Sequence, residues 1–252
     1  MPRRLRIESL GYHHVYNRGV AKLDVFLDEM DKAKFIELLA TISREFKFNI
    51  HSFCLMDNHY HLLIENRREN LSSGMRQLNA QYASYFNKRH NRVGHLWQDR
   101  FKSSFVLDET YLFTLFKYIE TNPLKAGLTK KVGEYVFCAT YSILKDAVPP
   151  FLQNSFVLRH YHTEELISAL ALPLGDAELQ RVATLHKTRY KKENDAIVHE
   201  HKATLEEHLS TYASKFERNC AIKKAFEDGY SKSDIAKYLL LSVAGVSKIL
   251  KS

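Results

Sequence analysis

Phe48-Asn-Ile-His-Ser-Phe-Cys-Leu-Met56-Asp57-Asn58-His59-Tyr60-His61-Leu-Leu-Ile-Glu65 reads as two strand-like runs joined by a two-residue link, the arrangement of a β-hairpin. A two-residue turn at Asp57-Asn58 sets Met56 opposite His59 and Cys54 opposite His61. Side chains alternate faces along a strand, so His59, His61, Leu63 and Glu65 share one face while Tyr60, Leu62 and Ile64 line the other. Two imidazoles therefore converge. Such a pair suits a divalent metal when a third ligand arrives from elsewhere in the chain, and otherwise bonds to backbone or water.

The flanking sequence completes a fold around this hairpin. Upstream, Tyr12 to Asn17 is a strand closing at Arg18-Gly19, and Asp28 to Phe46 is a helix with Phe35, Ile36, Leu38, Leu39 and Ile42 at helical spacings. Downstream come a helix over Leu71 to Arg89, a polar loop over Asn91 to Lys102, and a short strand over Ser103 to Leu107. A third helix starts at the N-cap Asp108 and stops at Asn122, ahead of Pro123. This order predicts an α+β domain with helices packed on a largely antiparallel sheet. On the third helix Leu112, Leu115, Phe116 and Ile119 form the apolar stripe, and Tyr111, Thr114, Tyr118 and Asn122 follow one another on a different flank. Tyr118 and Asn122 thus present a phenol and a carboxamide side by side. An amide oxygen can complete a hard-metal site, and a phenol beside it can attack a polarised phosphodiester. His13-His14 straddles a strand and His199-x-His201 diverges on a helical stretch, so neither pair is expected to bind metal.

The chain has 252 residues, 45 % of them hydrophobic, enough for one large domain or two modest ones and too apolar for wholesale disorder. Its longest apolar stretches, such as Tyr238 to Leu241, fall far short of the roughly 20 residues of a membrane-spanning helix. The start, Met1-Pro2-Arg3-Arg4-Leu5-Arg6, lacks the apolar core of a signal peptide, so the expected location is the cytoplasm, with the nucleoid. Cys54, Cys138 and Cys220 are odd in number and widely spaced, which predicts reduced, structural thiols rather than disulfides or a thiolate zinc site. The net charge of +8 favours a polyanionic partner.

Around Val148-Pro149-Pro150 the pattern changes, and everything beyond reads as helix. The expected division is 1–147, a helical linker region over 148–214, and a distinct segment over 215–252. In that last segment Gly229 is a natural helix C′ residue, Ser231-Lys-Ser-Asp234 resembles a capping box, and Ser242 can cap a helix running from Val243 to Lys251. With Ala236 at a close helix approach and Val246 and Ile249 turned inward, this is a helix-turn-helix candidate. The turn position that commonly carries Gly is Leu240, which keeps a plain helical hairpin open.

His59-Tyr60-His61 preceded by Leu55-Met56-Asp57-Asn58, with Tyr118-Ile-Glu-Thr-Asn122-Pro123-Leu-Lys-Ala-Gly127 downstream, resembles the His-hydrophobic-His (HUH) single-tyrosine transposases. The chain is most similar to the REP-associated tyrosine transposases. Tyr12-His-His-Val15, Asn17-Arg-Gly19 and Gly94-His-Leu-Trp97-Gln98-Asp-Arg100-Phe101-Lys102 match as well, and the resemblance covers about residues 1–145. It implies a ferredoxin-like HUH endonuclease fold, with Mg²⁺ or Mn²⁺ on His59 and His61 and Asn122 at the third-ligand position, where insertion-sequence relatives usually have Gln. It also implies Tyr118 as the nucleophile that cuts one DNA strand beside a hairpin, forming a 5′-phosphotyrosine and freeing a 3′-OH that can be rejoined without ATP. Both histidines must be neutral to bind metal, so activity is expected to fall below roughly pH 6. Around the site, Arg18, Arg100, Lys102 and Lys125 are candidate phosphate contacts, and Trp97 and Phe101 candidate stacking platforms for unpaired bases. Ser242, Ser247, Lys248 and Lys251 are placed to touch duplex DNA if 215–252 binds it. Relatives include monomers and swapped dimers, so both oligomeric states stay open. So do two other roles, a non-cleaving DNA-binding regulator and a replication-initiator nickase.

Overall fold

Four runs of alternating side chains pair into one antiparallel sheet. In this computed structural model, which describes residues 8–187, 190–193, 196–199, 204–210, 212, 214–228 and 230–250, the strands are β1 (Gly11–Arg18), β2 (Phe48–Met56), β3 (His59–Asn66) and β4 (Lys102–Val106). Their order is β2-β3-β1-β4, so β1 and β3 lie in the middle, while β2, at the edge, is buried at every position but Asn49.

One face of the sheet is closed by α1 (Glu29–Phe46) and α2 (Leu71–Arg89). The Asp28 carboxylate caps α1 by accepting from the Asp31 N–H, and Phe35, Leu39 and Ile42 recur on its buried side. On α2 the buried stripe is Leu71, Met75, Leu78, Tyr82 and Phe86. These helices meet the Tyr60 face, with Phe35 and Tyr60 ring centroids 4.8 Å apart. A Cβ at Gly74 of α2 would lie 2.6 Å from the Phe48 ring, which is why no side chain fits there.

The opposite face receives α3 (Leu112–Glu120), preceded by a 3₁₀ turn over Glu109–Tyr111. The expected stop at Asn122 is corrected. The helix ends at Glu120 and a further turn, α4 (Asn122–Lys125), restarts with Pro123 in its first turn, where a missing N–H costs nothing.

The chain then adds α5 (Ala139–Leu144), α6 (Phe156–His160), α7 (Thr163–Ala171) and α8 (Asp176–Lys187). It divides into compact units of residues 1–192 and 193–252, which differs from the expected boundary at 147. The physical reason is burial, since Leu152, Phe156, Val157, Leu166, Leu170, Val182 and Leu185 all join the core of the first unit. Helix throughout is corrected at the unit boundary, where β5 (Tyr190–Glu193) and β6 (Ala196–His199) are short strands. Of the decoy pair His199-x-His201, His201 lies outside the described residues.

The second unit contains α9 (Leu205–Leu209), α10 (Lys215–Glu227), α11 (Lys232–Tyr238) and α12 (Val243–Ile249). Leu209, Ile222, Ala225, Ile235, Ala236 and Val246 form its core, with Ile249 packed against it. Ser231 and Asp234 make a reciprocal capping box on α11, and the Ser242 hydroxyl accepts from the Gly245 N–H to cap α12. Leu240 adopts the left-handed conformation, φ 54°, that Gly would take at this turn. Gly229 and Lys251 lie outside the described residues.

All three cysteines are free thiols. Cys54 and Cys138 are buried opposite each other, whereas Cys220 is exposed, so the structural role expected of it is corrected. Among the described residues no helix is long and apolar enough to cross a membrane.

Candidate active site

The hairpin has the register read from its turn, with Met56 opposite His59 and Cys54 opposite His61. The two imidazole centroids lie 5.0 Å apart, nearly perpendicular at 89°. Each ring is held through Nδ1. Nδ1–H of His59 donates to Asn58 Oδ1 at 2.5 Å, and Nδ1 of His61 lies 3.0 Å from Nε2 of His14.

β1 brings two further rings to this face. Tyr16 pairs directly with His61, their rings 5.8 Å apart, and His14 is two residues back on the same side of the strand. Of the two histidines of β1, His14 is the one that lies on the side of His61. His13 faces the other way, bonds to the Ser9 carbonyl and the Ser103 hydroxyl, and is pushed down to about 4 by burial. Arg18 pairs with His59 in register. Burial first, and then the Arg18 charge, lower the His59 pKa below its ordinary 6.5, so this imidazole is neutral at pH 7.

α3 lays Tyr118 across the histidines. Its ring is edge-on to His61 at 6.1 Å and to His14 at 6.2 Å. Burial raises the phenol pKa above 10, so the proton stays on until reaction. Lys125 of α4 places Nζ 4.6 Å from the Tyr118 ring centroid, and burial lowers its pKa. The helix is anchored by Glu120, 3 % exposed, whose carboxyl accepts from the Ser52 hydroxyl of β2 and from both the N–H and hydroxyl of Thr140 on α5. Burial raises that carboxyl to about 7 against the pull of these donors. Asn122 donates its Nδ2 to the carbonyls of Tyr118 at 2.8 Å and Ile119 at 3.2 Å. The bonds that fix Asn122 thus run to α3 rather than to either imidazole.

These constraints fit a small divalent ion. With Nδ1 of both histidines and Nδ2 of Asn122 in hydrogen bonds, a metal here could be held through Nε2 of His59, Nε2 of His61 and Oδ1 of Asn122. Two imidazole nitrogens with a hard oxygen, leaving positions for water and phosphate, suit Mg²⁺ or Mn²⁺. Among the described residues no group of three or more His, Cys, Asp or Glu is arranged to hold a metal.

Of the expected DNA contacts, Lys102 lies on β4 with Nζ 5.9 Å from the Tyr16 ring centroid, beside the site, and Arg18 and Arg100 are exposed. Stacking by Phe101 is corrected, because its ring is 4 % exposed and belongs to the core. Trp97 is also fastened inward, with Nε1–H donating to the Asn79 carbonyl at 3.0 Å and its ring edge-on to Tyr60, on the sheet face away from the histidines. Trp97, Arg100 and Phe101 border an open groove of ≈ 980 Å³ between α2 and the 94–101 loop. Ser247 and Lys248 sit on α12 of the second unit, where Lys248 is exposed. His14, Tyr16 and Glu120 were missed in the sequence, since only the β1–β3 register and the packing of α3 reveal them.

No curated protein matches the chain. Among solved structures, a REP-associated tyrosine transposase bound to a REP hairpin is 18 % identical, with 60 % of this chain and 88 % of that one covered and a TM-score of 0.47. A chain described as a candidate transposase of Deinococcus radiodurans R1 is 16 % identical, with 48 % and 97 % covered and a TM-score of 0.34. These values are too low to carry residue roles across. The sequence model of the family described as transposase IS200 like matches residues 7–122. That segment, which spans both site histidines, Tyr118 and Asn122, is similar to the IS200-like transposases.

Proposed function

We propose that this protein nicks and rejoins single-stranded DNA beside hairpins, with Tyr118 as nucleophile. The observation that carries the reading is the meeting of the Tyr118 ring with His61 at 6.1 Å, on a sheet face where His59 and His61 stand side by side. A bond forms between Tyr118 Oη and the scissile phosphorus while the bond from phosphorus to the 3′-oxygen breaks. The phenol proton ends on that oxygen, giving a 5′-phosphotyrosine and a 3′-OH. Attack by a 3′-OH reverses the step, so joining needs no ATP. His59, His61 and Asn122 would hold Mg²⁺ or Mn²⁺, whose charge would be drawn on by the phosphate oxygens. Lys125 and Lys102 set positive charge beside Tyr118 and Tyr16, where phosphate would lie. Arg18 and Arg100 extend that charge along the DNA path, and the net charge of +8 supports binding to a polyanion.

In the second unit, α11 and α12 are proposed to form a helix-turn-helix that binds duplex DNA, with Ser247 and Lys248 of α12 as contacts. Support comes from the buried Ala236 and Val246 and from the left-handed Leu240 between the helices.

The test is incubation of the full chain with labelled single-stranded hairpins taken from the DNA flanking its gene, with Mn²⁺ or with EDTA, comparing wild type and Tyr118→Phe. A covalent adduct that requires both metal and Tyr118 is expected. Tight binding without an adduct under any metal would replace this reading with a non-cleaving DNA-binding regulator.

A further inference from the structure

We propose that His14 is a positioning residue for His61, accepting a hydrogen bond from its Nδ1–H and so holding it in the tautomer whose Nε2 can coordinate. The proposal rests on the reading of His61 as a metal ligand. His14 is fully buried, its Nε2 lies 3.0 Å from Nδ1 of His61, and the two rings stack at 5.1 Å with an interplanar angle of 21°.

A hydrogen bond between two neutral imidazoles contains one proton, and the choice of donor decides what His61 can do. If His14 donated, His61 would bear its proton on Nε2 and offer a metal nothing. If His61 donates, its Nε2 bears no proton and can coordinate, and the ring plane is fixed. The neighbouring histidine uses the same arrangement. Nδ1 of His59 faces Asn58 Oδ1, an oxygen that can only accept, so His59 carries its proton on Nδ1. His14 is to His61 what Asn58 is to His59, with one difference. Asn58 sits at the partly open turn, whereas His14 comes from the central strand β1, where Tyr16 rather than His14 faces His61 directly. His14 reaches its partner diagonally, and its ring also meets the edge of Tyr118 at 6.2 Å. A single buried ring therefore touches both the proposed ligand and the proposed nucleophile, which fixes their relative placement.

The test reads tautomers and metal affinity in the full-length protein at pH 7.5. Long-range ¹H–¹⁵N correlation on metal-free, ¹⁵N-histidine-labelled protein should show His61 protonated on Nδ1 in the wild type, and protonation on Nε2 would overturn the proposal before any variant is made. His14→Phe keeps a ring and removes the acceptor, so it should mix the His61 tautomers and weaken Mn²⁺ binding, followed by electron paramagnetic resonance, by about 10–100-fold. His14→Gln restores an acceptor oxygen and should recover most of the affinity. Unchanged affinity in His14→Phe, or a loss in His14→Gln equal to that in His14→Phe, would also overturn it. The reading of His61 as ligand fails separately if His61→Ala binds Mn²⁺ as tightly as wild type does, and the tautomer measurement still decides the role of His14 in that case.

Discussion

Glu120 provides the sharpest check on how α3, and with it Tyr118, is held. Its carboxyl is 3 % exposed, tied to Ser52 and Thr140, and raised from 4.5 to about 7 chiefly by burial. A carboxyl whose pKa rises on folding favours the folded state while it is protonated. That advantage is complete below about pH 4.5 and is lost as the pH climbs through 7. At about 1.4 kcal/mol per pH unit, the gap is worth about 3 kcal/mol of stability between the two limits. Glu120→Gln keeps the shape and one acceptor oxygen but has no proton to lose, so its stability should lack this component. The assay is urea unfolding at pH 5.0 and 7.5, followed by fluorescence of Trp97, the one tryptophan of the chain, which lies in the first unit. Taking the difference between wild type and variant removes the common titrations of His13 and His51, both held low by burial. The wild type should lose about 2.4 kcal/mol more than Glu120→Gln over that interval, most of the full gap. Equal pH dependence in the two proteins would mean that Glu120 is ionised throughout, and would refute the account of a buried, neutral anchor beneath α3.

Leu240 is 92 % exposed at φ 54°, so Leu240→Gly relieves a left-handed penalty of about 1–2 kcal/mol against an added backbone entropy of about 0.5–1 kcal/mol. Slower amide exchange in α11 and α12 should report a net gain of about 0.5–1 kcal/mol, with no gain in Leu240→Ala, and equal behaviour of the two variants would remove the left-handed turn. Arg18 helps to depress the His59 pKa, so in Arg18→Gln this pKa should rise and Mn²⁺ binding should fail at a higher pH than in wild type. An acid limit that stays in place counts against that coupling. Lys125→Met should slow adduct formation about tenfold and leave Mn²⁺ affinity unchanged, because Nζ faces the Tyr118 ring rather than an imidazole. A parallel loss of Mn²⁺ affinity would place Lys125 at the ligands instead. Gly74→Ala should cost about 1–3 kcal/mol in the same urea assay, since the new Cβ would sit 2.6 Å from the Phe48 ring, and a neutral result would mean that α2 is not seated this closely.

Local sequence specified what depends on local geometry. A two-residue link sets hairpin register, so the shared face of His59 and His61 was legible from Asp57-Asn58 alone, and the spacing of Met75, Leu78, Tyr82, Tyr85 and Phe86 was enough for α2, although Tyr85 is only half-buried. Pairings distant along the chain were not legible. Whether His13 or His14 faces His61 depends on β1 lying beside β3 with Tyr16 opposite His61, and nothing within β1 records that register. The same holds for Phe101 and Trp97, whose aromatic, basic surroundings suit base stacking but whose rings the core takes up. Glu120 reads as an ordinary helix carboxylate until Ser52 and Thr140 close around it.

The site consequently has a built part and an added part. His59, His61 and Tyr118 are placed by packed elements, the central pair β3 and β1 on one side and the apolar stripe of α3 on the other, so their geometry is set by folding itself. The proposed phosphate contacts Arg18, Arg100 and Lys102 are exposed side chains at the ends of strands and turns, whereas Lys125 packs over the Tyr118 ring. Exposed charges gain affinity from released counterions and lose it with salt, whereas the buried rings do not. DNA binding and strand cleavage should therefore separate with ionic strength. Raising the salt should weaken hairpin capture steeply while leaving the adduct yield of already bound DNA nearly constant. A cleavage step that falls with salt as steeply as binding does would place the cations inside the chemistry rather than around it.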